Sequence, residues 1–238
     1  MMRQEILTIY EIDVFQEARD HFIHICGFSD KGQKKLNMLN DGLECRIKGL
    51  AGLKIRAIIG TADSSVYHNQ KIMVEHKEFR CKAFERIQDR FVKKIYFYIL
   101  TVGECNCALE DEIVNRLYAD IWGTAYTEAA RDYVKNRILN DLIREFPGQL
   151  GNGLFLSETF GPGFYGMDVL QSIDLFTLLE GRRIGMEVRE SGILVPLKSC
   201  SGIFLAVTDP KALPHPDCRD CLGNAVSCSF CRLRENKN

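Results

Sequence analysis

Two stretches of the chain carry apolar residues at the spacing of an amphipathic helix. The first is residues 13–26, after which Gly27 is a natural stop. The second is longer: from 109 to 146 an apolar residue recurs every three to five positions, until Pro147 ends the pattern. We therefore predict two helices, the second of them long and with a single apolar stripe that packs against the rest of the protein.

Shorter runs rich in β-branched and aromatic residues predict buried strands at 53–61 (LKIRAIIGT) and 95–102 (IYFYILTV). Between them, 79–91 is predicted to be a helix. Because helices and strands do not alternate strictly along the chain, the order of elements favours an α+β fold over a doubly wound parallel sheet.

The C-terminal third is predicted to mix short strands with one helix. Its strands are 154–159, 184–190 and 203–207, and its helix runs from Asp168, as N-cap, to 179, with Gly181 closing it.

The composition is that of an ordinary globular protein. Of its 238 residues, 46% are apolar and 26% are charged, and the net charge is −1, so nothing indicates a nucleic acid or an anionic membrane as partner. The most apolar window, 95–102, is too short to cross a bilayer. The first residues lack the apolar core of an export signal, and we expect a cytoplasmic protein.

Four of the ten cysteines lie close together near the end of the chain, at Cys218, Cys221, Cys228 and Cys231. Each CxxC pair can place two thiolates on one metal ion, and four thiolates suit tetrahedral zinc or an iron–sulfur cluster. The spacing favours a metal centre, with zinc ahead of iron–sulfur. A set of free or redox-active thiols is the alternative.

The segment GPGFYG at 161–166 matches the G-x-G-x-x-G pattern of dinucleotide-binding turns. Two features speak against that interpretation. Pro162 removes an amide that could face a phosphate, and the preceding sequence is a long helix rather than the start of a βαβ unit. The glycines still let the backbone approach a partner closely, and Phe164 and Tyr165 offer flat rings beside it, which suits a nucleoside-bearing ligand or a tight structural turn.

The order of motifs around this turn resembles the activation domain of cobalamin-dependent methionine synthase. The motifs are GPGFYG (161–166), a helix from 168 to 179, IGMEVRES (184–191) and VPLKSCSG (195–202), and the long helix and Thr101-Val102-Gly103 are similar as well. The resemblance covers roughly residues 95–207. On this basis we divide the chain into 1–90, the N-terminal part of the same domain, an activation-domain-like core at 91–209, and a cysteine-rich tail at 210–238.

The resemblance implies an α+β fold with a bent, mainly antiparallel sheet flanked by long helices. It also implies that S-adenosylmethionine binds at the glycine turn and methylates a corrinoid that has lapsed to Co(II) and is being reduced. Carried over by position, the binding residues would be Glu128, Thr159, Pro162, Gly163, Phe164, Tyr165 and Gly166.

At two of these positions the chain departs from the family pattern. Thr159 stands where the family usually has an arginine that contacts the carboxylate of the ligand, and Phe164 stands where it has a tyrosine. The resemblance implies that the corrinoid is carried by a partner, either a corrinoid-binding protein or a methyltransferase. The electron would come from a donor such as flavodoxin or ferredoxin, and a cluster in the cysteine tail could relay it.

Three functions remain open from the sequence. The first is an S-adenosylmethionine-dependent activator of a separate corrinoid protein. The second is a non-catalytic docking module that has lost the ligand, which the threonine at 159 favours. The third is a metal-tailed interaction protein unrelated to corrinoids.

Overall fold

The structure is a computed structural model and describes residues 2–26, 42, 53–105 and 113–213. Its strands are β1 (Arg3–Tyr10), β2 (Lys54–Asp63), β3 (Tyr67–His68), β4 (Lys71–Val74), β5 (Lys77–Phe79), β6 (Val92–Gly103), β7 (Phe155–Leu156), β8 (Glu187–Val188), β9 (Leu194–Val195) and β10 (Lys198–Val207). Its helices are α1 (Glu11–Ile25), α2 (Ile113–Glu145) and α3 (Gln171–Leu178). The predicted helices at 13–26 and 109–146 and the strands at 53–61 and 95–102 are thus confirmed, with small shifts at the described ends; residues 109–112 lie outside the described residues.

A five-stranded sheet in the order β1-β2-β6-β10-β7 forms the centre of the fold. Every neighbouring pair in it is antiparallel. Residues 95–102 of β6 are all buried because both faces of this strand are covered. Two irregularities in the pairing of β10 with β6 fall at Lys198/Ser199 and Ala206/Val207, and such bulges bend a strand. The predicted α+β fold with a bent antiparallel sheet is confirmed.

Helices α1 and α2 cover one face of this sheet. The apolar positions of α1, among them Phe22, pack with Trp122, Ala125 and Tyr126 of α2 against the sheet. The Phe22 and Trp122 rings stack with their centroids 4.2 Å apart. Alternate side chains of a strand point to opposite faces, so Tyr98 of β6 points toward the helices.

The opposite face of the sheet carries α3, the small sheet β3-β4-β5 and several 3-10 turns. Phe97 and Ile99 of β6 point to this side and share a second apolar core with Phe160, Leu175 and Phe84. The segment that follows β7 continues along β10, since Phe160 forms an antiparallel bridge with Ile203. Among the described residues, no helix is both long and apolar enough to span a membrane.

The predicted helix at 79–91 is wrong. Its C-terminal part forms two 3-10 helices, Lys82–Arg86 and Asp89–Phe91, after the end of β5. Cys81 and Gln88 adopt extended backbone angles, which break a continuous helix at both places.

Three details of the C-terminal third also differ from prediction. The segment 184–190 contributes only the two-residue strand β8, because the backbone of Gly185 turns to a φ of +80° just before it. Asp168 precedes α3 without capping it: its carboxylate accepts a hydrogen bond from the Leu170 amide, and the helix begins at Gln171. The left-handed residue after α3 is Glu180, whereas Gly181 is required by packing, since a Cβ there would lie 2.4 Å from the Phe176 ring.

Candidate functional site

The glycine turn at 161–166 follows directly on Phe160, whose amide and carbonyl both pair with Ile203 of β10 at 2.8 Å. The turn is closed by its own hydrogen bonds: the Phe164 amide donates to the Gly161 carbonyl, and the Gly163 amide donates to the Met167 carbonyl. These amides are therefore occupied within the turn. Since the next helix begins only at Gln171 and the sheet is antiparallel, the dinucleotide-binding interpretation of the pattern is excluded.

The backbone of the turn requires glycine at two positions. Gly163 has a φ of +88° and Gly166 a φ of +75°, both in the left-handed region that a Cβ disfavours. A Cβ at Gly166 would also lie 2.7 Å from Cγ of Lys82. On that side, Gly166 borders a polar cavity of about 470 Å³ that Lys82 and Arg80 also line.

The two aromatic residues of the turn have different environments. Phe164 is 60% exposed and offers its ring to solvent. Tyr165 is half-buried, with its ring 5.4 Å from that of Phe160 and its carbonyl accepting from the Cys81 thiol. Pro162 is also half-buried. Of the predicted ligand-facing rings, Phe164 is the one free to cover a bound nucleoside.

Thr159 lies on the helix side of the sheet. Its hydroxyl lies 3.0 Å from the hydroxyl of Tyr98, which is fully buried. Gly202 of β10 leaves the space for this contact, since a Cβ there would lie 2.5 Å from Oγ1 of Thr159. The threonine thus ties the segment before the turn to β6.

Glu128 lies on α2 with Arg131 one helical turn further along. Their Oε2 and Nη2 atoms are 2.5 Å apart. Burial lowers the pKa of the Arg131 guanidinium. The charge of Glu128, followed by the Tyr98 and Cys200 side chains, raises it by more, so this pKa lies above its ordinary value. The sequence analysis missed Arg131, because an Arg three residues after a Glu on a helix is usually an exposed ion pair.

The start of β10 completes the polar surroundings on the helix side. The Lys198 ammonium lies 2.9 Å from Thr124 and 2.7 Å from Asp120, both on α2. Next to it, burial raises the pKa of the Cys200 thiol to about 12, so this cysteine stays protonated at neutral pH. One residue on, Ser201 points to the other face, and its hydroxyl is buried without a hydrogen-bond partner among the described residues.

The predicted metal ligands Cys218, Cys221, Cys228 and Cys231 lie outside the described residues. Within the ranges that are described, no group of His, Cys, Asp or Glu side chains is arranged to hold a metal ion. The described residues of the candidate site offer the backbone of the turn, the exposed ring of Phe164 and the ion pair of Glu128 with Arg131.

A bent antiparallel sheet with two long helices on one face, and a glycine-rich turn at its edge, defines the class of domain. It is the fold of the reactivation domain of cobalamin-dependent methionine synthase. The crystal structure of the MetH reactivation domain bound to AdoHcy is similar to this chain with a TM-score of 0.62 and 14% sequence identity. The similarity covers 87% of this chain and 80% of that one. No family model and no curated protein matches the sequence.

This likeness confirms the fold implied by the resemblance in the sequence. At 14% identity it defines the fold and no more. The residues predicted to bind a ligand therefore remain predictions. The structure places Thr159, Pro162, Gly163, Phe164, Tyr165 and Gly166 in one segment. Glu128 lies on α2, which is joined to the residue before this segment by the ion pair of Lys135 with Glu158 at 2.6 Å.

Proposed function

We propose that this chain binds S-adenosylmethionine at the glycine turn and in the adjoining space toward α2, and that it supports reductive methylation of a corrinoid on a separate protein. The observation that carries the proposal is the shared fold with a domain solved in complex with AdoHcy, the demethylated product of that ligand. The left-handed glycines and the exposed ring of Phe164 give a surface to which a nucleoside can bind closely.

The residues have distinct roles in this proposal. The backbone of Pro162, Gly163 and Gly166 lies against the nucleoside, and the Phe164 ring covers one of its faces. The carboxylate of Glu128 binds the ammonium group at the amino acid end of the ligand. Thr159 positions the turn through its contact with Tyr98 and does not bind the ligand by charge.

The proposed reaction transfers a methyl group to cobalt. A Co(II) corrinoid on the partner takes one electron from a reduced donor protein and becomes Co(I). The Co(I) centre then attacks the methyl carbon of the sulfonium, so that the S–CH₃ bond breaks, a Co–CH₃ bond forms and AdoHcy is left. The chain's own task is to hold the sulfonium at the surface that faces the partner.

Calorimetric titration with S-adenosylmethionine and with AdoHcy tests the proposal. We expect saturable binding that is lost in Gly163→Leu. Gly153→Leu is the matched control, because Gly153 also has a left-handed φ, +97°, and open space around it, but lies outside the turn. Absence of heat and of a thermal shift at millimolar ligand would refute ligand binding.

A docking module without ligand is the second candidate, and one observation favours it. The side chain of Thr159 is engaged with Tyr98, so this position supplies no cation. In that case a corrinoid methyltransferase would be captured by the immobilised chain equally well with and without S-adenosylmethionine. A ligand-dependent increase in capture would exclude it.

We further propose that the four cysteines of the tail hold zinc or an iron–sulfur cluster. The proposal rests on their spacing alone. Metal analysis of protein purified without oxygen tests it: stoichiometric zinc without visible absorbance would end the idea of an electron relay.

A further inference from the structure

The amino acid end of the proposed ligand carries two charges, an ammonium and a carboxylate. Glu128 can meet the first, but a carboxylate needs a cation or several N–H donors. In the glycine turn the amides of Gly163 and Phe164 are used internally, and Thr159 is neutral. Thr159 and these two amides therefore leave the carboxylate to be bound by another group.

Arg131 lies where such a cation is needed. It is on the same side of α2 as Glu128, and it is close enough to the buried Tyr98 and Cys200 for its charge to act on both. The Tyr98 hydroxyl in turn contacts Thr159, two residues before the glycine turn. One helical turn after Arg131, the Lys135 ammonium lies 2.6 Å from the carboxylate of Glu158, the residue before Thr159, so this side of α2 faces the base of the turn.

The described residues do not use all the donors of the guanidinium. Among the described residues its acidic neighbours are Glu128 at 2.5 Å and Asp132 at 4.0 Å, and Asp132 is already paired with His21 at 3.1 Å. A guanidinium carries five N–H groups in a planar fork that matches a carboxylate. The Arg131 side chain is 31% exposed, so part of this fork faces solvent and can receive a ligand.

The exposure of Arg131 differs from that of comparable ion pairs. In the described part of the chain, two other arginines form i,i+3 pairs with acids, Arg144 with Asp141 and Arg183 with Glu180. Those arginines are 63% and 46% exposed. Arg131 is less exposed, at 31%, and it lies on the part of α2 that pairs with the segment before the turn.

We infer that Arg131 binds the carboxylate at the amino acid end of the ligand while Glu128 binds the ammonium, so that the helix α2 supplies both charges that the glycine turn lacks. The inference rests on the proposed function and deepens it. On this view α2, and not the turn, gives the chain a higher affinity for a ligand with an amino acid end than for a bare nucleoside.

Two ligands separate the inference from the proposed function. AdoHcy carries the amino acid end, whereas 5′-methylthioadenosine has the same nucleoside and sulfur without it. In calorimetric titrations we expect Arg131→Gln to weaken AdoHcy on the order of ten- to a hundredfold, as expected for loss of a charged hydrogen-bonded contact. Its affinity for 5′-methylthioadenosine should stay within about twofold of wild type.

Two further variants guard against a folding artefact. Arg131→Lys keeps the charge but not the fork and should give an intermediate loss for AdoHcy alone. Arg144→Gln removes an exposed i,i+3 arginine from the same helix and should change neither affinity.

The results of these titrations distinguish failure of the inference from failure of the proposed function. Equal weakening of both ligands in Arg131→Gln, or no weakening of either, overturns the inference and leaves the proposed function standing if wild type binds AdoHcy. Binding of neither ligand by wild type overturns the proposed function and the inference with it.

Discussion

The contact between Thr159 and Tyr98 gives the sharpest prediction on stability. The two hydroxyl oxygens are 3.0 Å apart, and Tyr98 is 1% exposed, so its hydroxyl cannot turn to water. Burial is also the main reason why the pKa of Tyr98 is well above its ordinary value. Thr159→Val keeps the shape of the side chain and removes the partner of a buried hydroxyl.

Leaving a buried donor unpaired costs about 1–3 kcal/mol. The Cys200 thiol also interacts with the Tyr98 hydroxyl, and it is a weak substitute partner. We therefore expect Thr159→Val to lower the free energy of unfolding by about 1–2 kcal/mol. Tyr98→Phe should cost less, about 0.5–1.5 kcal/mol, because Thr159 is only half-buried and can be hydrated instead.

The double variant tests the contact itself. With both hydroxyls gone, no polar group is left unpaired, so the combined loss should fall short of the sum of the single losses by about 1 kcal/mol. The assay is urea unfolding followed by fluorescence and circular dichroism, with Thr159→Ser as the control that keeps the hydroxyl. Additive losses, or a Thr159→Val variant as stable as wild type, would refute the view that Thr159 anchors the turn.

Two further predictions concern the sheet and the helix pair. Gly202→Ala places a Cβ 2.5 Å from Oγ1 of Thr159 and 2.9 Å from the Phe160 carbonyl, so urea unfolding should show a loss of about 1–3 kcal/mol, whereas an unchanged midpoint would contradict the packing described. The hydrogen bond to Asp132 raises the pKa of His21, so the pair stabilises the fold below the ordinary histidine pKa and loses this contribution as pH rises through the raised value. The melting-temperature difference between wild type and His21→Gln should thus be larger near pH 6 than near pH 8.5, and a difference that grows with pH would show that the pair is not charged as described.

Long periodic segments were the part of the fold that the sequence predicted well. The apolar stripe of α2 is periodic because one face of the helix is buried, and β6 is a continuous apolar run because both of its faces are buried. β1 was missed because it passes directly into α1 at Tyr10, with no glycine or proline to mark the boundary.

The small sheet β3-β4-β5 was missed for a different reason. Its two hairpins turn at Asn69-Gln70 and at Glu75-His76, and all four residues have a positive φ. Such two-residue turns are normally recognised by Asn-Gly or Asp-Gly. Because none of these positions is glycine, the segment carries no such turn signal, and only its last residue, Phe79, fell within a predicted element, the helix at 79–91.

In the candidate site, too, features set by local sequence could be predicted and features set by long-range contacts could not. The glycine turn could be found from the sequence because its conformation is local: left-handed backbone demands glycine at fixed positions. Arg131 could not be found, since its neighbours Tyr98 and Cys200 are far away in the chain and come together only through the pairing of β6 with β10.

Thr159 and Arg131 are best understood together. An arginine at 159 would bring a second cation beside Arg131, next to a tyrosine and a thiol that burial keeps neutral. Two cations there would repel each other, the more so where burial lowers the local dielectric. A neutral hydroxyl at 159 avoids this repulsion. The departure from the family pattern at 159 is thus compatible with ligand binding, provided that the charge is supplied by the helix.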